Sequence, residues 1–407
     1  MYLMKNRIRT YGWGSRTAIA TLVGDDAPSA EPQAEMWIGA HPGDSSQLYL
    51  AVGEQPLVRV IDEDPTGALG ADVVHRFDGT LPFLLKLLAA DSPLSLQAHP
   101  SIPQAQAGFD EEQAAGIPAD APFRNYKDRT HKPEMVYALE AFEALCGFQP
   151  TQVSVASLDG LAIPELADVR AELVSTPGAP GLRRVVTGLL QADRAAVEPM
   201  VRAVAAACRD RAGRGLRFDR EYAMARRLAD HYPGDPGVLI ALLMNRIDLG
   251  PGQAVYLPAG SMHAYLSGFG VEIMASSDNV LRGGLTTKHV DVAELTAVVD
   301  FEPGAPHLVS PVPIGPGELA FRTPAPEFDF SVITVSPAGR SLAHAGPQVL
   351  LAIDGSISLV DVHGRRLTVR PGQSVFLPAR QGPVWIDGTG TLVRARDGLR
   401  STLPPAQ

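Results

Sequence analysis

The chain has 407 residues, 45% hydrophobic and 20% charged, which suits a water-soluble globular protein of two or three domains. Its net charge of −10 leaves no broad basic surface to neutralise phosphates, so no nucleic-acid partner is expected. Two cysteines, Cys146 and Cys208, are too few for a disulfide framework or a thiolate metal site, and both read as small buried apolar residues.

The chain opens Met1-Tyr2-Leu3-Met4-Lys5, but Arg9, Trp13 and Arg16 interrupt the place where a signal peptide needs an apolar core. No stretch approaches the length of a membrane-spanning helix, so a cytoplasmic protein without a membrane partner is expected. The first informative strand is Leu81-Pro82-Phe83-Leu84-Leu85-Lys86-Leu87-Leu88, where Lys86 either snorkels or faces a pocket. Leu96-Gln97-Ala98-His99-Pro100 follows, and strand spacing puts Gln97 and His99 on one face, with Ser95 on that face too. There Ser95 is placed to donate to a substrate phosphate. Next, His131-Lys132-Pro133-Glu134 supplies a carboxylate whose approach is set by the preceding proline.

Residues 151–249 are of a different kind. They are rich in Ala, Leu and Arg with apolar positions at helical spacing, as in the stretches starting at Ala195 and Glu221. Pro233-Gly234-Asp235-Pro236-Gly237 breaks this run, and a further helix is expected over residues 238–245. The block reads as a helical domain inserted into a β module, either walling one side of a pocket or serving only as packing.

A repeat begins at Pro251-Gly252-Gln253-Ala254-Val255-Tyr256-Leu257-Pro258-Ala259 and returns as Pro371-Gly372-Gln373-Ser374-Val375-Phe376-Leu377-Pro378-Ala379. Each copy is a Pro-Gly turn, a short apolar strand and a terminating proline. The pattern is similar to that of cupin-type double-stranded β-helix domains, so the expected fold is mainly β, with two jelly-roll modules and an inserted α-helical domain. The expected boundaries are 1–150 plus 250–310 for the first module, 151–249 for the helical domain and 311–400 for the second module. His263 follows the first copy, whereas counting places Pro383 at the matching position of the second. The second module is therefore expected to lack metal ligands.

After His263, residues 271–288 alternate charged and apolar positions and then reach Arg282-Gly283-Gly284 and Lys288. Arg282 and Lys288 suit an oxyanion, one as a planar fork and one as a point charge, and the glycine pair lets backbone approach a ligand. From residue 312 onward, short strands separated by Asp354-Gly355 and His363-Gly364 are expected, ending in a loose tail at residues 403–407. Gln97, His99, Glu134 and His263 together offer two nitrogens and two oxygens, a set suited to one Zn²⁺ per chain. His41, in Gly39-Ala40-His41-Pro42, is a weaker candidate ligand.

These segments together closely resemble type I mannose-6-phosphate isomerases. The resemblance runs through Tyr11-Gly12-Trp13-Gly14-Ser15, residues 34–42, Leu96 to Pro100, Tyr126 to Glu134 and His263 to Lys288. The family often has Asn where Thr130 stands, Ala where Gly283 stands and Pro where Thr287 stands. The resemblance implies interconversion of mannose 6-phosphate and fructose 6-phosphate with one Zn²⁺ held by Gln97, His99, Glu134 and His263. It also implies an active-site role for Arg282, a phosphate role for Ser95 and Lys288, and pocket positions for Lys86, Lys132, Glu272 and Asp278. Such a reaction moves a proton between C1 and C2, most simply through a cis-enediol, and Glu272, Lys132, His131 and Asp278 are all eligible for ring opening or proton transfer. Arg282 suits electrostatic stabilisation, because guanidinium is hard to deprotonate. Two other readings stand beside this one: a different cupin enzyme such as a metal-dependent oxygenase, and a non-catalytic sugar-phosphate binding protein. The expected partner is a small sugar phosphate, and the sequence leaves monomer or homodimer open.

Overall fold

A computed structural model describes residues 1–51, 53–211, 213–343 and 345–399. The tail expected at residues 403–407 lies outside the described residues. Two large antiparallel sheets dominate, so the fold is mainly β. The first runs in the order His307–Val309, Ala254–Leu257, Glu134–Phe148, His263–Ala275, Phe83–Ala90, Glu35–Ile38 and Arg7–Arg9. Short strands Gln97–Ala98, Leu281–Arg282 and Met244–Leu249 pair off this path. The second sheet is centred on Asp329–Val335, Val384–Arg396, Gln348–Asp361 and Ser374–Leu377.

The chain start belongs to that second sheet. Tyr2–Lys5 pairs with Ser374–Leu377, placing Tyr2 opposite Phe376, and on its other edge with Gln47–Leu50. The two sheets share one apolar core in which Met135 and Val271 meet Phe330 and Phe376. Tyr137 stands edge-on to Phe321, with ring centroids 5.1 Å apart, at this junction.

Helices occupy most of residues 151–241, between the strands Glu134–Phe148 and Met244–Leu249. Ala179–Gln191 buries Leu182, Val185, Val186 and Leu189, an i, i+3, i+4, i+7 stripe that makes one face apolar. These helices pack beneath Leu96, Ala98, Met262 and Leu281, the segments that carry the candidate ligands. Cys146 and Cys208 are both buried, and burial pushes their thiols up to about 12, as small apolar residues require.

Two local expectations fail. The helix expected over residues 238–245 is Gly237–Ala241 only, and Met244–Leu249 is a strand. Pairing with Glu134–Phe148, Phe142 opposite Leu249, outweighs the local helical pattern. Likewise Asp354-Gly355 does not separate two strands: it lies within the single strand Gln348–Asp361, just after a bulge at Ile353. Both sides of that bulge pair with Val384–Arg396, so a hairpin there would forfeit one ladder. His363-Gly364 does turn the chain, into Arg366–Val369. Among the described residues, no helix is long and apolar enough to cross a membrane.

Candidate metal centre

Gln97 is the middle of three antiparallel strands, opposite His263 on one side and Arg282 on the other. Glu134 opens its strand opposite both Leu257 and Met274. This register brings His99, Glu134 and His263 together, each at most 2% exposed, with one ligand atom apiece within 4.8 Å of one another. The strand carrying Gln97 is only two residues long, and His99 lies just past its end.

Hydrogen bonds decide which ring nitrogens face the centre. His99 Nδ1 donates 2.7 Å to the carbonyl of Asn279, and His263 Nδ1 donates 3.0 Å to the carbonyl of Ser261. A neutral imidazole with its proton on Nδ1 carries a lone pair on Nε2. Those two Nε2 atoms stand 3.4 and 3.3 Å from the oxygens of Glu134. Lone pairs on nitrogen and carboxylate oxygen repel at such distances, and a cation between them turns the repulsion into ligation. His99 Nε2 and Glu134 Oε2 are buried without a hydrogen-bond partner, which is costly unless an ion completes them. Gln97 Nε2 lies 3.2 Å from His263 Nε2, and a half-turn of the amide brings its oxygen to the same point. Two imidazoles, a carboxylate and an amide oxygen suit Zn²⁺.

Burial, reinforced by the Lys132 ammonium, holds His99 down at about 4, so its imidazole is neutral at physiological pH. For Glu134, burial opposes ionisation, but Lys132, 2.8 Å away, and the two imidazoles hold the carboxyl well below its usual range.

Next to this centre lies a cavity of about 1080 Å³ lined by Lys86, Ser95, Gln97, Lys132, Asp278, Arg282 and Lys288 among others. Lys86 therefore faces the pocket rather than snorkelling. Its ammonium donates 2.9 Å to Glu272, the residue opposite it across the ladder, and lies 3.8 Å from Glu35. Burial keeps the Glu272 carboxyl above its usual range despite Lys86. Arg282 and Lys288 have no ion-pair partner among the described residues. Burial lowers the affinity of both for protons, and for Lys288 the neighbouring Arg282 and Lys127 add to it. Clustered cations without counter-charges form a site for an anion. His131 points elsewhere: its Nε2 is 2.8 Å from Glu327, which comes from the loop before Asp329–Val335.

The helical block walls part of this cavity through Tyr232. Tyr232 donates 2.7 Å to the carbonyl of Pro93, and Asp235 accepts from the backbone amides of Leu285 (2.8 Å) and Thr286 (3.2 Å). The glycine pair serves this packing: Gly284 adopts φ +115°, and a Cβ there would meet Gly237 at 2.9 Å.

Several residues that position the site escape sequence reasoning. The buried Ser277 and Asn279 form a knot with the half-buried Asp128, which accepts from the Ser277 hydroxyl (2.9 Å) and the Asp278 amide (2.8 Å). The Asn279 side chain accepts from the Lys127 amide and donates to the carbonyls of Asp128 and Thr130, while its own carbonyl holds His99. All three lie inside the two long motifs, which was the available signal, but no local pattern tells a knot residue from a pocket residue. Asn279→Ala is expected to weaken zinc binding about 10- to 100-fold without removing a ligand, measured by competition with a chromogenic chelator.

The second repeat copy carries no such centre among the described residues. Gln348, opposite Leu377 and Arg396, stands where Glu134 stands opposite Leu257 and Met274. Val384 opens the strand that follows the second copy, as His263 opens the strand that follows the first. The strand thus begins at Val384 and not at Pro383, because the connection before it is one residue longer. Arg394 takes the place of Glu272, and its guanidinium donates 2.8 Å to Gln348 and 3.1 Å to Glu318.

Comparison with known proteins agrees with this geometry. The family profile for the phosphomannose isomerase type I catalytic domain matches residues 1–151, and that for the mannose-6-phosphate isomerase cupin domain matches residues 318–396. The chain is 38% identical to the mannose-6-phosphate isomerase of Salmonella typhimurium, over 98% of this chain and 100% of that one. It is 30% identical to the Homo sapiens mannose-6-phosphate isomerase, over 95% and 93% of the two chains. A zinc-bound crystal structure of mannose 6-phosphate isomerase superposes with a TM-score of 0.90 at 37% identity, covering 97% of this chain and 99% of that one. The chain belongs to the type I phosphomannose isomerase family.

Proposed function

We propose that the protein interconverts D-mannose 6-phosphate and D-fructose 6-phosphate, moving a proton between C1 and C2 through a cis-enediol with one Zn²⁺ held by Gln97, His99, Glu134 and His263. The observation that carries this reading is a pairing of opposite needs around one cavity. A buried cluster of lone pairs calls for a cation, and Arg282 and Lys288, which have no ion-pair partner among the described residues, call for an anion.

The residues divide the work by charge. Lys288 and Ser95 bind the phosphate, and Arg282 stabilises negative charge that develops on the sugar oxygens. The bound zinc supplies further positive charge against that developing oxyanion. Lys132, 2.8 Å from Glu134 and on the cavity wall, is suited to give a proton. Asp278 is an ionised carboxylate on the cavity wall, suited to take a hydroxyl proton at ring opening. Glu272 and Lys86 form a buried pair behind them, and His131, engaged by Glu327, orients the loop that carries Lys132. We read residues 1–150 plus 250–310 as the catalytic jelly roll, 151–249 as its helical insertion and 311–400 as a second jelly roll. The strands Tyr2–Lys5 and Gln47–Leu50 are lent to the second module's sheet.

The test is fructose 6-phosphate formation from mannose 6-phosphate by the purified protein as isolated, after chelation and after zinc is restored. Activity is expected to vanish with the chelator and return with zinc. No turnover by the fully zinc-loaded protein would overturn the reading. Arg282→Ala is expected to lower kcat/KM roughly 10²-fold with zinc content unchanged, as checked by steady-state kinetics alongside metal analysis.

A further inference from the structure

His41 lies behind the cavity wall rather than on it. It follows the strand Glu35–Ile38, its side chain is 7% exposed, and its ring stands edge-on to Trp37 with centroids 4.7 Å apart. Its Nδ1 accepts from the backbone amide of Gly43 at 3.1 Å. In the neutral ring the proton must then sit on Nε2, which lies 3.2 Å from Oδ2 of Asp278. His41 is therefore a donor to that carboxylate and has no lone pair free to act as a base.

Asp278 is held at both ends. Its backbone amide donates 2.8 Å to Asp128, and its carboxylate receives the His41 proton. The side chain remains 45% exposed and lines the cavity. A surface carboxylate on a loop samples several rotamers. One hydrogen bond from a ring locked by Trp37 and Gly43 removes that freedom and leaves the second oxygen for the substrate.

We infer that His41 is a positioning residue that orients Asp278 toward the sugar. The hydrogen bond from His41, opposed by burial, also holds the Asp278 carboxyl below its usual range, and Lys127 and Lys132 face it with the same effect. The inference rests on the isomerase reading for its kinetic consequence but not for its geometry.

The experiment compares zinc-loaded wild type with His41→Leu, His41→Gln, Asp278→Asn and the double variant His41→Leu/Asp278→Asn. His41→Leu is expected to lower kcat roughly 10²-fold, with KM and zinc content unchanged. Gln can place its amide nitrogen near the position of Nε2, so His41→Gln should recover most of the loss. The double variant should be no slower than Asp278→Asn alone, because both changes break one link. Unchanged kcat in His41→Leu, additive losses in the double variant, or a folded His41→Gln no better than His41→Leu would each overturn the assignment.

A second readout needs no turnover. Long-range proton–nitrogen NMR of the wild type should show the His41 ring protonated on Nε2 alone, with that proton shifting on Asp278→Asn. The opposite tautomer, or no response to Asp278→Asn, would refute the link even if the isomerase reading stood. If the wild type failed to isomerise mannose 6-phosphate while the NMR result held, only the isomerase reading would fall.

Discussion

Glu134→Ala is expected to yield a protein that retains no zinc after desalting and turns over at least about 10³-fold more slowly, since it loses the one anionic ligand and with it the charge stabilisation zinc supplies. Glu134 is the only carboxylate of the candidate set, and both imidazole Nε2 atoms and the Lys132 ammonium converge on it. Its removal leaves neutral donors around the centre and an uncompensated ammonium beside them. Both effects disfavour a second positive charge in a buried site. Metal analysis and steady-state kinetics on one preparation check the expectation. Zinc retained at one ion per chain would show that the centre lies elsewhere.

Arg394→Ala is expected to destabilise the protein by about 3 kcal/mol, through loss of a buried ion pair and exposure of its partners to an apolar interior. Arg394 and Glu318 are both 2% exposed, and Gln348 is fully buried against them. Burial holds the Arg394 guanidinium down at about 10, still cationic at neutral pH. Burial also opposes ionisation of Glu318, but Arg394 and the Ser331 hydroxyl hold it below its usual range. In the first copy of the repeat the place of Gln348 is taken by Glu134, a candidate zinc ligand. In the second copy the Arg394 guanidinium supplies positive charge from within the chain. The expected result is a lower denaturant midpoint with zinc content unchanged. Glu318 keeps a second partner in Arg340, 2.6 Å away and only partly buried, so Arg394→Met/Glu318→Gln, which removes the fully buried pair and leaves Arg340 able to reach solvent, should recover part of the loss. An Arg394→Ala protein as stable as wild type would sink this account of the second copy.

The two copies also show why the sequence is readable in some places and opaque in others. The repeat at Pro251 and Pro371 is local, and it marks strands that do occupy equivalent places. The same counting slips by one residue at Pro383, because strands keep their place while the length of the connecting loop is free to vary. The helix expected over residues 238–245 fails for the same reason. Four of those residues, 238–241, are helical, and from Met244 the chain is taken by a ladder to a strand some hundred residues earlier.

Within the site, residue types and short motifs were enough to nominate a candidate ligand set, because zinc chemistry restricts which side chains serve, although its three segments lie far apart along the chain. They were enough as well for a mainly β chain, since turn signals and apolar runs are properties of neighbouring residues. Partnerships between distant side chains were beyond them. That His41 donates to Asp278, that Asn279 holds His99 through its carbonyl and that His131 turns to Glu327 depend on atoms brought together only when the sheets close. Nor could local pattern assign the first strand, Tyr2–Lys5, to the sheet of the C-terminal half. Chemical identity is written residue by residue, so the sequence alone determined which groups could bind zinc and phosphate. Hydrogen bonds reach only about 3 Å, so tautomer, orientation and counter-charge were decided by the tertiary structure.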